Sequence, residues 1–327
     1  MSISINSYVC ETLLGQGTFG YGFFLLFSNI HSTLFIFRSV YLVRRKKDLK
    51  PFVVKKQNLN NANALPLKSI LGEVQCFRTL RHPNIVAYYG AWIEDNHSYI
   101  LLEYATRCTL KDLLEKNEIP LKEEDALYLF SQIVLGVHHI HFKKILHRDL
   151  KPENIMLTGN HGDIVKIGDF GVSKDFEELK NSSIASLAGS FSYMAPEMLR
   201  GRPYDFKCDI WSMGVILYEM ITKRHPFPVT NLNEIMKSIC EDKPRPLRRG
   251  VSVSIVSLIS KMLRKHSAHR PKTDQLVLCP YLVPFIARIY LNLGRATSIA
   301  DKSDGKFGPE VFLKFLKPQE KRKMILA

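Results

Sequence analysis

The chain has no internal repeat, no low-complexity tract and no sustained heptad, so it is neither a repeat array nor a long coiled coil over the stretch given. Its six cysteines, Cys10, Cys76, Cys108, Cys208, Cys240 and Cys279, include no CxxC pair. So sparse a set over 327 residues argues against a disulfide framework and for free thiols in a reducing compartment. Residues 1–8 lack a basic segment followed by an apolar core, so no secretory signal is expected. Acid is scarce: 31 Asp and Glu stand against 46 Lys and Arg, a formal charge of +15. That excess suits a basic globular enzyme. It equally suits affinity for an acidic partner, such as nucleic acid, an anionic membrane or the acidic face of a microtubule. Local basic runs stand at Arg44-Arg45-Lys46-Lys47 and Lys321-Arg322-Lys323, but no nucleic-acid motif accompanies them.

What is present is enough apolar material, 46% of residues, to bury a large domain or two lobes. Up to about residue 105 the pattern reads as short strands with one helix. Val53-Val54 and Tyr99-Ile100-Leu101-Leu102 are β-type runs. Residues 67–80 repeat apolar side chains at helical spacing and stop at Arg81-His82-Pro83. Beyond residue 105 the period turns helical, over 110–116, 123–142, 209–222 and 255–263. The expected fold class is therefore α+β: a small β-rich lobe over 9–104, a larger helical lobe over 105–285, and a cleft between them. Residues 1–8 read as an extension and 286–327 as a tail with an amphipathic piece and a polar link at 301–305.

Three motifs follow one another in the helical part: His147-Arg148-Asp149-Leu150-Lys151-Pro152-Glu153-Asn154, Asp169-Phe170-Gly171 and Ala195-Pro196-Glu197. Each charged residue alone would more often be a surface charge. Their order and spacing match the catalytic loop, metal-binding loop and activation-segment end of eukaryotic protein kinases. In that chemistry Asp149 is the candidate base for a substrate hydroxyl, Lys151 reaches the transferring phosphate, and Asn154 and Asp169 are the candidate metal ligands. Lys151 at this place resembles serine/threonine kinases rather than tyrosine kinases.

Lys55, after Phe52-Val53-Val54, is the candidate for the α- and β-phosphates, with adjacent Lys56 as its competitor. Glu73, eighteen residues on, lies on the 67–80 helix and can pair with Lys55. Gly15-Gln16-Gly17-Thr18-Phe19-Gly20 fits the glycine-rich pattern whose backbone N–H groups cover phosphates, with Val40 as the valine that follows it.

The wider sequence resembles the NIMA-related serine/threonine kinases. The likeness is carried by Leu80-Arg81-His82-Pro83-Asn84-Ile85-Val86, Ile145-Leu146-His147-Arg148-Asp149, Asp209-Ile210-Trp211-Ser212-Met213-Gly214 and Lys223-Arg224-His225-Pro226-Phe227. It covers roughly residues 9–285. It implies a two-lobed kinase using ATP and Mg2+ on protein substrates. It implies that Leu102 guards the back of the adenine pocket, that Glu103 and Ala105 offer backbone groups to adenine, and that Met156 lies under the ring. Gly189-Ser190 resembles the serine/threonine substrate turn. Glu197 and Arg270 would form a structural ion pair, and Asp209 would brace the catalytic loop. Arg148 beside Asp149 implies control by activation-segment phosphorylation, with Ser186 the best-placed acceptor and Ser182 and Ser183 behind it, and hence an upstream activating kinase. By resemblance alone, microtubule- or centrosome-associated partners and cell-cycle work in the cytoplasm, cytoskeleton or nucleus are implied. No specific nucleic-acid or membrane partner is expected.

One stretch breaks the pattern. Val40 arrives eighteen residues late, after the segment 22–39, GFFLLFSNIHSTLFIFRS, which holds five phenylalanines and no acid. A membrane span is rejected: Ser28, Asn29, His31, Ser32 and Thr33 sit at its centre, and it would part the glycine motif from Lys55. Two readings remain. The segment is an apolar insertion at the tip of the first hairpin, or it is foreign to the working protein, as an unspliced intron would be; removing it restores Gly20-Tyr21-Val40. The rival to an active kinase is a catalytically impaired kinase fold that acts as a scaffold or binding module. The intact Lys55, Glu73, Asp149, Asn154 and Asp169 argue against that rival, and the insertion argues for it.

Overall fold

The computed structural model describes residues 4–20, 35–59, 64–170, 191–227 and 232–300. Five antiparallel strands make the first lobe: β1 (Tyr8–Gly20), β2 (Phe35–Arg45), β3 (Pro51–Asn58), β4 (Tyr88–Glu94) and β5 (His97–Glu103), in the order β1-β2-β3-β5-β4. Alternation along the strands divides the sheet's two faces. Phe52 and Val54 of β3 and Tyr99 and Leu101 of β5 bury on one face, roofed by Tyr8, Tyr41 and Trp92. Trp92 stacks between Tyr8 and Tyr99, at centroid distances of 6.3 and 5.2 Å. The alternate residues Val53, Ile100 and Leu102 join the main core on the other face.

Helix α1 (Ala64–Thr79) connects β3 to β4, beginning earlier than the periodicity of 67–80 predicts. The following loop ties the first lobe to the second. Asn84 donates to Gln132 Oε1 at 3.0 Å and to the Val165 carbonyl at 3.1 Å. The Ile167 N–H donates to the Asn84 carbonyl at 2.8 Å, and the Val86 N–H to the Ile167 carbonyl at 2.9 Å.

The second lobe is built on α2 (Leu110–Lys116), α3 (Glu123–Phe142), α4 (Pro196–Leu199), α5 (Lys207–Thr222), α6 (Leu232–Glu241), α7 (Val253–Met262), α8 (Thr273–Val277) and α9 (Val283–Ala300). The short sheet β6 (Cys108–Thr109), β7 (Ile155–Thr158) and β8 (Ile164–Ile167) supports the loops between helices. The expected helices 110–116 and 123–142 form with those bounds. Thr109 starts α2 with a capping box closed by Asp112, which satisfies two otherwise unpaired backbone donors. Helix α5 is apolar nearly all round and correspondingly buried, from Cys208 to Ile221 apart from Glu219. The division expected after residue 285 falls inside α9, whose Ile286 and Ile289 are buried in the core. Among the described residues no helix is long and apolar enough to cross a membrane.

Candidate active site

Strand alternation decides between the two lysines of β3. Lys55 points inward, 3.0 Å from Glu73 Oε1 on α1 and 2.6 Å from Asp169 Oδ1. Lys56 points the other way, its ammonium 5.9 Å from the centre of the Tyr99 ring. Burial alone would lower the Lys55 pKa, but Asp169 and Glu73 hold it above its ordinary value, so the ammonium stays charged. Glu73 is 2% exposed, so the pair is a buried one, whose rupture leaves an uncompensated charge.

Below it the catalytic loop brings Asp149, Lys151 and Asn154 together. Asp149 Oδ2 accepts from Asn154 Nδ2 at 3.0 Å and lies 3.2 Å from Lys151 Nζ. Asn154 Nδ2 also donates to the Asp149 carbonyl at 2.7 Å, which closes the loop on itself. Asp209, buried at the start of α5, accepts from the His147 N–H at 3.0 Å, the Arg148 N–H at 2.9 Å and His141 Nε2 at 2.8 Å. Burial alone would raise the Asp209 carboxyl, yet His141 and His147 hold it below the ordinary value. Arg148 can therefore hold its left-handed backbone, φ 67°, which would otherwise be strained.

Burial lowers the His147 pKa below its ordinary value. Its Nε2 lies 3.0 Å from the Gly168 carbonyl, which can only accept, so that nitrogen carries the proton and Nδ1 faces the Asp149 N–H as acceptor. The ring packs on Phe170, centroids 5.1 Å apart, and Phe170 meets Phe77 edge-on at 5.0 Å. Phe77 stacks in turn on Tyr88 at 6.3 Å. This column joins catalytic loop, metal loop, α1 and β4, and it holds Asp169 beside Lys55. Farther down, Arg270 binds Glu197 through two parallel bonds of 2.6 and 2.8 Å and lies over Trp211.

The adenine-pocket candidates converge less tightly. Leu102 is buried on β5, opposite Val53 of β3 and Tyr88 of β4. Met156 lies half-buried on β7 against Gly168, where a Cβ would overlap the methionine methyl. Glu103 and Ala105 occupy the connection between lobes, half-buried. The Glu103 side chain bonds the Ala87 N–H at 3.0 Å and pairs with Lys166 at 2.9 Å.

The glycine motif departs from expectation. Gly15, Gln16, Gly17, Thr18, Phe19 and Gly20 continue β1 as strand rather than turning over a phosphate. Gly15 pairs with Val40, Gly17 with Arg38 and Gly20 with Phe35. The physical reason is the late return of the chain. Backbone groups beyond Gly17 are satisfied by pairing with Phe35, Ile36 and Phe37, residues that favour strand. Residues 35–39, assigned by sequence to the intrusive segment, are thus part of β2.

Asp169 and Asn154 fit a magnesium ion as oxygen donors. The Asp169 side chain is 41% exposed at its place beside Lys55, and the Asn154 amide nitrogen is committed to Asp149, which leaves its oxygen for a ligand. Among the described residues no group of three His, Cys, Asp or Glu side chains could hold a metal. Two protein ligands completed by phosphate oxygens and water is the usual pattern for Mg2+. Ser182, Ser183 and Ser186, with Gly189-Ser190, lie outside the described residues.

The Phe77–Phe170–His147 column was not anticipated. Phe77 lies four residues after Glu73 on one helix, and that spacing put it on the same face. Lys166 likewise carried no motif to mark its reach to Glu103.

The sequence profile of the protein kinase domain matches residues 36–282, beginning after the glycine motif. Serine/threonine-protein kinase Nek5 of Mus musculus is 32% identical over 277 residues, covering 84% of this chain and 40% of that protein. Nek5 of Homo sapiens is 34% identical, covering 87% of this chain and 37% of that protein. Serine/threonine-protein kinase nekl-2 of Caenorhabditis elegans is 34% identical, covering 78% of this chain and 73% of that protein. The chain thus spans about two fifths of the length of the Nek5 proteins it matches.

Proposed function

The chain belongs to the protein kinase family, in its NIMA-related serine/threonine branch, and from that premise we propose that it transfers the γ-phosphate of ATP to serine and threonine hydroxyls of proteins. The observation that carries this is the joint placement of two arrays: Lys55 between Glu73 and Asp169, and Asp149 between Lys151 and Asn154. Magnesium-bound ATP supplies the transferable phosphoryl group and its charge neutralisation. Asp169 and Asn154 would hold the metal as oxygen ligands. Lys55, fixed by Glu73, takes the phosphate oxygens it is charged to meet. Asp149 orients the acceptor hydroxyl and receives its proton as the new O–P bond forms and the bond from the γ-phosphorus to the β,γ-bridging oxygen breaks, releasing ADP, while Lys151 offsets charge on the group in transit. Nothing in the comparisons or in the placement of Lys55, Glu73, Asp149, Asn154 and Asp169 favours the impaired-scaffold alternative.

The test is transfer of labelled phosphate from ATP with Mg2+ to a generic serine/threonine protein substrate. Asp149→Asn should lower kcat by about 10²–10⁴-fold while ATP still raises the melting temperature. Equal transfer by Asp149→Asn and the parent chain would sink the reading.

A further inference from the structure

Beyond α2, on the second lobe, lies a groove of about 590 Å³ that the transfer reaction does not use. Tyr218 and Pro246 line it, and Arg224, Arg245 and Arg248 surround it. All three arginines are exposed, and none of their side chains meets a carboxylate among the described residues. The groove is held in shape by backbone. The Arg245 N–H donates to the Pro226 carbonyl at 2.8 Å, and Tyr218 donates its hydroxyl proton to the Arg245 carbonyl at 3.2 Å. Pro244 and Pro246 restrict the segment between them, and Leu247 anchors it on the core. Arg224, Arg245 and Arg248 thus border one groove together with Tyr218.

Unpaired guanidinium groups around a concave site suit a compact oxoanion, which they grip through paired N–H donors. Glu118, also in the lining, leaves a net excess of positive charge beside the three arginines but repels anions spread across the whole groove, which disfavours a long polyanion or a flat charged surface. The stretches that line the groove also carry residues in contact with the end of the activation segment. Tyr193 reaches Glu219, the residue next to Tyr218, at 2.5 Å, and its ring meets His225, next to Arg224, at 5.7 Å.

We propose that this groove docks a phosphorylated serine or threonine of a protein substrate, holding an already modified segment while a neighbouring hydroxyl is presented to Asp149. The proposal rests on the kinase reading for the origin of its ligand, because the side chain recognised is the product of that reaction. The binding itself needs no catalysis, so the two can fail separately.

The experiment measures fluorescence anisotropy of a labelled short peptide with one phosphoserine flanked by alanine and glycine, against its unphosphorylated twin. The phosphopeptide should bind about tenfold or more tightly than the twin. Arg245→Ala with Arg248→Ala should remove that preference, whereas Lys46→Ala with Lys47→Ala, basic residues outside the groove, should leave it intact. Asp149→Asn should bind like the parent chain. Phosphopeptide binding by Asp149→Asn, with no transfer by the parent, would sink the kinase reading and keep the docking site. Intact transfer with equal affinity for both peptides would do the reverse. The proposal is also overturned if both double variants weaken binding equally. It fails as well if the Arg245/Arg248 pair governs binding to duplex DNA or phosphatidylserine vesicles but not to the phosphopeptide.

Discussion

Asp149 is oriented by Lys151, by Asn154 and by a backbone hung from buried Asp209, whereas residues 15–20 hang from a single neighbouring strand at the edge of a sheet. The catalytic loop is fixed several times over from the core of the larger lobe. The glycine hairpin has one set of partners, and the late return of the chain has already drawn it into a longer ladder. The comparison teaches that the two halves of an ATP site can be built to different standards. On the proposed function, disturbance at the hairpin would act on how ATP is held, while Asp149, Lys151 and Asn154 keep their places.

Arg270→Met should give the largest effect, because it removes the buried member of the pair, leaves half-buried Glu197 without its partner and cuts the bidentate bonds under the catalytic lobe. A loss of about 3–5 kcal/mol in denaturant unfolding is expected. A loss under about 1 kcal/mol would mean the catalytic loop does not depend on this support. Next comes Glu73→Gln, which keeps the shape of the side chain but frees Lys55 from a charge partner. Transfer should fall about 10²-fold in kcat/KM, and the melting temperature should fall too, because buried Lys55 loses one of its two charge partners. An unchanged kcat/KM would show that Asp169 alone positions Lys55.

The smallest effect concerns Glu219 beneath Tyr193. Burial, reinforced by Glu153, pushes its carboxyl up to about 7 against the hydrogen bond from Tyr193 and the charge of Lys111. The unfolded chain releases this proton near the ordinary glutamate value, so between there and pH 7 the folded form binds more protons. Stability from this group is full below that window and declines as pH rises through it. Glu219→Gln should flatten the decline by on the order of 2 kcal/mol between pH 4.5 and 7. An identical slope in the variant would show that Glu219 does not retain its proton on folding.

Much of the lower site was legible because its chemistry is carried by side chains at short, fixed spacings. Asp149, Lys151 and Asn154 sit within six residues, and the bonds between them are local. The choice of Lys55 over Lys56 was legible from Val53 and Val54 before it, which match the strand pattern that precedes such a lysine, and alternation sends Lys56 to the opposite face. The column through Phe77, Phe170 and His147 was hidden, because ring contacts between separate elements leave no motif. The hairpin misled for another reason. A glycine pattern records what a backbone can do, but the length of chain before its return decides whether it turns or pairs. With Gly15 opposite Val40, excision of 22–39 would set Gln16 opposite Tyr21 and Gly17 opposite Gly20, with Thr18 and Phe19 to bridge the turn. The pairing of Gly15 with Val40 would not change.

That shortened chain provides the most direct measurement. Steady-state transfer should be compared between the full chain and the chain in which Tyr21 joins Val40, with ATP varied at saturating protein substrate. A catalytic centre that stands independently of the hairpin predicts kcat values within about threefold of each other and a lower KM for ATP in the shortened form. A kcat that appears only after the segment is removed would contradict that independence and show that the hairpin governs the chemistry itself.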